Sequence, residues 1–290
     1  MRSIYLGALA FLIFARLCPA QTPEEKKATI AFVQGLQSGG AFVPSPAESD
    51  KPSLRATSAA LRALKYFGGE PKDKTALPRF VERCFDKTTG GFSDSPLTLK
   101  PDVTTTAVGL MAVVELKMPL EPYVEPAVKY LADNAKTFEE IRIAAAGLEA
   151  VGKRPKPADA WLEQIAKLRN ADGTYGKGDG AARATGGAVA AVLRLGGKVE
   201  RDNVVKVLKA GQRADGAWGK EETPGSDLET SYRVLRSLRM LKEKPDDAKL
   251  RAFVAKCRNA DGGYGVAPGQ KSTVGATYFA SIILHWLDEK

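Results

Sequence analysis

Histidine is nearly missing from this sequence: His285 stands alone in 290 residues, and cysteine occurs only as Cys18, Cys84 and Cys257. Zinc wants about four nitrogen, sulfur or oxygen ligands, so a metal centre here would rest mostly on carboxylates. Three cysteines are too few for the disulfide framework of a small secreted domain. Long apolar runs are missing too. The one pronounced stretch, residues 4–15, is about a dozen residues, against the roughly 20 that span a bilayer. Lys and Arg outnumber Asp and Glu by 43 to 34, a net charge of +9, yet no block of five or more basic residues occurs. Nucleic-acid binding draws on a concentrated basic face, so the dispersed charge argues against a nucleic-acid partner.

Residues 1–20 stand apart. Arg2 gives a positive start, residues 4–15 an apolar body, and Cys18-Pro19-Ala20 a small residue ahead of a cut before Gln21. This is the layout of a cleavable export signal rather than an anchor. Arg16 interrupts the run that a lipidated Cys18 would require. The expected mature chain, residues 21–290, is periplasmic or extracellular and has no transmembrane segment. Losing Arg2 and Arg16 takes its basic residues from 43 to 41 against 34 acidic ones, a net +7.

What is abundant is a repeated turn. Asp261-Gly262-Gly263-Tyr264-Gly265 echoes Asp215-Gly216-Ala217-Trp218-Gly219, Asp172-Gly173-Thr174-Tyr175-Gly176, Thr89-Gly90-Gly91-Phe92 and Ser38-Gly39-Gly40-Ala41-Phe42. The closing aromatics, Phe42, Phe92, Tyr175, Trp218 and Tyr264, are 50, 83, 43 and 46 residues apart. The long gap holds one further unit with an eroded turn at Asn134-Ala135-Lys136-Thr137. Self-similarity at such a period signals a repeat architecture. Each unit pairs an outer helix with an inner one: residues 23–37 with 53–67, 75–85 with 102–117, 124–134 with 138–151, 157–169 with 181–195, 201–212 with 227–241, and 246–258 with 272–287. The second helices align through a Thr/Ser/Ala column (Thr57, Thr106, Ala144, Thr185, Ser231, Thr277), followed four residues later by Leu61, Leu110, Leu148, Val189, Leu235 and Ser281. They are rich in small residues and apolar on most sides, as buried helices are, whereas the first helices carry an apolar stripe and a charged face. The expected fold is all-α: an (α/α)6 toroid of six helical hairpins. Glycine in the turns permits positive φ, aspartate bonds its own backbone, the aromatic packs between units, and Gln212 ties a turn to a helix end. Cys84 and Cys257 occupy the same place in units two and six. These units are not neighbours in the ring, so both are expected to be buried free thiols.

The turns around Asp215 and Asp261 resemble the repeats shared by protein prenyltransferase β subunits and squalene/oxidosqualene cyclases. The resemblance covers most of residues 23–287 and is strongest from Trp161 onward. It implies a central cavity ringed by the inner-helix starts. In prenyltransferases the similar positions hold zinc through Asp, a Cys two residues later, and His. Asp227 matches, but Glu229 stands where the cysteine would be and Gly275 where the histidine would be, so no metal ligand set and no cofactor are expected. Ser226-Asp227-Leu228-Glu229 also reads as a capping box. In the cyclases the acid sits in Asp-x-Asp-Asp-Thr-Ala; Asp102-Val103-Thr104-Thr105-Thr106-Ala107 resembles it, with Thr104 in place of the protonating aspartate. Asp102 follows Pro101 and suits a helix cap. The Gly-Cys-Gly-Glu-Gln run of thioester toroids is absent.

Candidate catalytic carboxylates are therefore Asp102, Asp227 and Glu229, the set that a glycan-active (α/α)6 enzyme would use. Asp227 and Glu229 diverge on one helix, which leaves a pair across the ring, Asp102 with Asp227. Candidate ligand-binding residues are Arg55, Arg142, Arg183 and Arg233 at the cavity mouth, with the aromatics Tyr232, Tyr278 and Phe279. The arginines suit either phosphate oxygens or ion pairs with Asp102, Asp227, Glu229 and Glu139–Glu140. Three readings stay open: an exported toroid whose cavity takes an apolar or isoprenoid-like small molecule, and which the resemblance would make a prenyltransferase-like transferase with an altered site if it is an enzyme; a non-catalytic binding or scaffold protein with a protein partner; and a glycan-active enzyme.

Overall fold

The computed structural model describes residues 21–98 and 100–289; the expected leader, with Cys18, lies outside them. Among the described residues, twelve α-helices alternate between two rings. The inner ring consists of α2 (Leu54–Phe67), α4 (Val103–Glu115), α6 (Phe138–Ala150), α8 (Ala181–Arg194), α10 (Leu228–Met240) and α12 (Val274–Asp288). Each packs on the next, and α12 closes the ring against α2. The outer ring consists of α1 (Pro23–Gly35), α3 (Leu77–Cys84), α5 (Val124–Asn134), α7 (Ala158–Ala166), α9 (Arg201–Ala210) and α11 (Asp247–Lys256). The α1 helix packs on α2 and also on α12, which locks the first unit to the last. The all-α toroid of six hairpins expected from the repeat is the fold observed.

Burial follows the ring. Along α4 nearly every residue from Val103 to Val113 is buried, whereas α9 buries only Val204 and Leu208. Small residues let the inner helices approach closely. A Cβ on Gly147 would meet the Ala107 Cα at 2.8 Å, and one on Gly186 the Val234 Cα at 3.1 Å. The column four residues beyond the hydroxyls, Leu61 through Ser281, is buried throughout.

The turns tie three elements together. Phe42, Phe92, Tyr175, Trp218 and Tyr264 are all buried. Each backbone N–H donates to the hydroxyl of its own inner helix: Thr57, Thr106, Thr185, Ser231 and Thr277, at 2.9 to 3.2 Å. Asp172, Asp215 and Asp261 each accept from the backbone N–H two residues on. The glycine after Asp215 has φ 97°, and the turn there lies against the start of the next outer helix, α11. Gln212 donates to the Gly216 carbonyl at 2.7 Å and exchanges hydrogen bonds with the backbone of Asp246, the residue that caps α11.

Several outer helices end earlier than the pattern suggests. The residues after them pair instead with the turn aromatic: Gln37 with Phe42, Phe85 with Phe92, Arg169 with Tyr175, Arg258 with Tyr264. Backbone bonding across the tight turn wins over another helical turn there. Cys84 and Cys257 are buried, unpaired thiols in equivalent positions.

Candidate functional site

The inner ring encloses a cavity of about 240 Å³. Its walls are apolar where α4, α6, α8 and α12 contribute Val108, Met111, Ile143, Ala146, Ala190 and Phe279. Its charge is strongly one-sided: Arg55, Arg62, Arg142, Arg194, Arg233 and Arg236 line it, against the single carboxylate Glu229.

These arginines form two layers. At the rim, Arg55 is the second residue of α2 and is held by Asp94, from the loop before α4, through contacts of 2.8 and 3.0 Å. Arg142 on α6 donates from Nε and Nη2 to Glu139 at 3.0 and 2.9 Å. Arg233 on α10, whose side chain is 11% exposed, bridges Glu139 at 3.0 Å and Glu229 at 2.8 Å. Lys220 and Arg183 approach Glu229 at 3.5 Å. Burial would raise the carboxyls of Glu139 and Glu229, but the surrounding cations outweigh it and hold both below the usual range. Both are therefore ionised at neutral pH. Burial, with Arg233 alongside, holds Arg142 below its ordinary value.

The second layer lies deeper. Arg62 and Arg236 follow Arg55 and Glu229 by seven residues on their helices, two turns or about 10 Å at 1.5 Å per residue. Arg62 donates to the Tyr278 hydroxyl at 2.9 Å and sits 4.0 Å above that ring. Arg236 donates to the Tyr232 hydroxyl at 3.3 Å and stacks 4.5 Å from the Trp286 ring centre. Tyr232 itself stacks on Trp286 with a centroid separation of 5.6 Å. Arg194, at the end of α8, is paired with Glu149 at 2.8 Å.

Of the residues singled out by sequence, Arg55, Arg142, Arg233, Glu229, Tyr232 and Tyr278 do line the cavity. Arg183 does not; it is half-buried beside Glu229. Asp102 and Asp227 are helix caps and also lie outside the lining. Asp102 accepts the Thr105 N–H at 2.7 Å, with the Thr105 hydroxyl bonded back to the Asp102 N–H. Asp227 accepts the N–H and hydroxyl of Thr230 at 2.8 and 2.9 Å. The cross-ring pair of Asp102 with Asp227 is thus not assembled. The capping box also differs from the expected one: the cap is Asp227 itself, Ser226 donates to Asp215, and Glu229 belongs to the arginine network. The arginines pair with Asp94, Glu139 and Glu229, not with Asp102, Asp227 or Glu140. Sequence reasoning passed over Arg62, Arg194 and Arg236. The signal was the seven-residue spacing of charges on helices otherwise built from small and apolar residues.

A zinc ion on the pattern of the prenyltransferases does not fit these residues. Both Asp227 oxygens are committed to Thr230, Glu229 is clamped by Arg233, and Gly275 offers no side chain. His285 lies near the far end of α12, against the Tyr66 ring and 3.0 Å from Glu289. Among the described residues no group of three or more His, Cys, Asp and Glu side chains is placed to hold a metal.

The family model of the prenyltransferase alpha-alpha toroid domain matches residues 3–75, 70–141 and 141–290. The chain belongs to this family. A Candida albicans protein geranylgeranyltransferase-I complexed with GGPP superposes on the toroid with a TM-score of 0.71 at 15% identity, covering 90% of this chain and 91% of that one. A type II terpene cyclase from Scytonema, in complex with geranylgeranyl dihydroxybenzoate, gives 0.60 at 11% identity over 91% and 95%. A glycosidase in complex with glucose gives 0.59 at 14% over 91% and 96%. At these identities the likeness is one of fold, and one toroid carries several chemistries. No curated protein matches the sequence.

Proposed function

We propose that this prenyltransferase-type toroid is an exported binding protein whose central cavity takes a small apolar or isoprenoid-like molecule bearing an anionic group. The observation that carries the reading is the lining, six arginines and one carboxylate around apolar walls. Relatives of the same fold hold GGPP and geranylgeranyl dihydroxybenzoate, which is consistent with such a ligand. The volume of about 240 Å³ lies below the roughly 300–1,000 Å³ common for drug-sized ligands, so a short apolar part is favoured.

Binding is favoured over catalysis because the cavity's one carboxylate, Glu229, and its rim neighbour Glu139 are already engaged by arginines. A general acid needs a carboxyl whose pKa is raised, and the cations at Glu139 and Glu229 lower theirs. The same fact weighs against the glycan-active reading, although a glycosidase shares the fold. Export rests on the layout of residues 1–20.

Native mass spectrometry with metal analysis, on protein recovered from its own export compartment, tests this reading. The expected result is an intact mass beginning at Gln21 with a co-purifying lipophilic anion. An empty protein that refuses amphiphilic anions would overturn the ligand reading and leave a protein-binding scaffold. Stoichiometric zinc would overturn the assignment of a degenerate metal site.

A further inference from the structure

Resting on the reading of the cavity as a ligand site, we infer that the ligand's oxyanion, a phosphate or carboxylate on a short apolar chain, is received at the inner end between Arg62 and Arg236, and not at the rim. The rim arginines already have counter-ions. Arg55 carries Asp94, Arg142 carries Glu139, and Arg233 carries Glu139 and Glu229. An incoming anion there meets three carboxylates held within ion-pair distance and must displace one.

The inner end is the reverse. Among the described residues, neither Arg62 nor Arg236 has a carboxylate within ion-pair distance. Their hydrogen bonds go to phenol oxygens and, for Arg62, to the Ser58 carbonyl at 3.2 Å. The Nε of Arg236 is buried with no hydrogen-bond partner at all. A buried cation with no carboxylate counter-ion and an incomplete set of acceptors is expensive, and an oxyanion supplies both together. Guanidinium forks match phosphate and carboxylate oxygens in geometry. The apolar walls lie on the way back to the rim, roughly 10 Å up the helices, and accommodate the chain. The polarity is therefore head inward, tail outward.

Calorimetric titration of the full mature chain with octyl phosphate, octanoate and octanol tests this inference. Both anions should bind wild-type protein at least tenfold more tightly than octanol, as hydrogen bonds to charged groups are worth about 1.5–3 kcal/mol. The order of the two anions tells phosphate from carboxylate. Arg62→Gln and Arg236→Gln should each weaken anion binding roughly tenfold or more, and Arg55→Gln by less than about threefold. Equal binding of octanol, or loss confined to Arg55→Gln, would overturn the inward polarity while leaving the cavity as a ligand site. Failure of all three probes to bind would overturn the cavity reading itself.

A second measurement needs no variant. The Tyr232 phenol is faced by Arg236 on its own helix, Arg194 on α8, Arg62 on α2, Arg142 on α6 and Tyr278 on α12. An anion seated on Arg236 disfavours the Tyr232 phenolate. Saturating octyl phosphate should lower the near-ultraviolet phenolate absorbance of wild-type protein at mildly alkaline pH. Where the ligand-free protein shows this phenolate band, a band left unchanged by a bound anion would place that anion away from Arg236 and overturn the inference.

Discussion

The backbone N–H of Tyr175 donates to the Thr185 hydroxyl at 3.0 Å, and that hydroxyl donates back to the Tyr175 carbonyl at 2.9 Å. The N–H-to-hydroxyl half of this link recurs at Phe42, Phe92, Trp218 and Tyr264. Where the turn is eroded, in the third unit, the column holds Ala144 and no hydroxyl is needed. Thr185→Val should therefore leave a buried N–H unpaired and cost about 1–3 kcal/mol. Ala144→Thr should give no gain, since its hydroxyl has only the carbonyl of its own helix to bond. Urea unfolding of both variants checks this. Equal effects would dissociate the column from the turns.

This link also shows why so much of the fold was legible. Turn glycines, aspartates and hydroxyls act within about a dozen residues, so their chemistry repeats visibly along the chain. Asp102 reads as a cap from its place after Pro101, and a cap it is. The cavity was harder. Which face of an inner helix looks inward depends on close approaches such as Gly186 on Val234, which no local pattern reports. Arg62 and Arg236 were missed for that reason. The partners of the rim arginines were half-legible: Glu139 and Glu229 sit on inner-helix starts, but Asp94 comes from a loop.

The glycines separate into those the turn requires and those it does not. Gly216 has φ 97°, and a Cβ there would lie 2.3 Å from the Lys249 carbonyl oxygen. Gly216→Ala should cost roughly 2 kcal/mol or more, from strain and clash together. Gly35, at the end of α1, has nothing within 4 Å of its missing Cβ. Gly35→Ala should stabilise by up to about 0.5–1 kcal/mol. Thermal or urea unfolding reads both, and the opposite ranking would refute the turn's dependence on glycine.

Cys84 and Cys257 should behave as inert side chains. Burial, with nearby Asp94 for Cys84 and Asp215 and Asp227 for Cys257, pushes each thiol up to about 12 from 9.0. Thiolate is the reactive form, so iodoacetamide should leave both untouched in the folded protein at neutral pH and alkylate both in denaturant. The folded state keeps these protons longer than the unfolded chain. Their contribution to stability is thus complete below pH 9.0 and lost as pH rises towards about 12. Rapid labelling of the native protein, or a disulfide-linked dimer under oxidation, would contradict the burial.

Tyr232 links stability to pH in the opposite sense. Burial alone would raise this phenol, but Arg236, Arg194 and Arg62 outweigh it and bring it down to about 7 from 10.0. Between those values the unfolded chain holds the proton and the folded protein has released it. The unfolded state then binds more protons, so stability climbs with pH across the window and is lost as pH falls through about 7. Tyr232→Phe removes the titration while keeping the ring that stacks on Trp286. The difference in unfolding free energy between wild type and Tyr232→Phe should therefore widen from about pH 7 to about pH 9, with a slope of at most about 1.4 kcal/mol per pH unit, the limit for one proton. Taking the difference cancels every group the two proteins share. A difference that stays flat across the window would mean that the folded protein keeps the phenol protonated, leaving Arg236 with no negative partner at all and making the demand for a bound anion at the inner end stronger still.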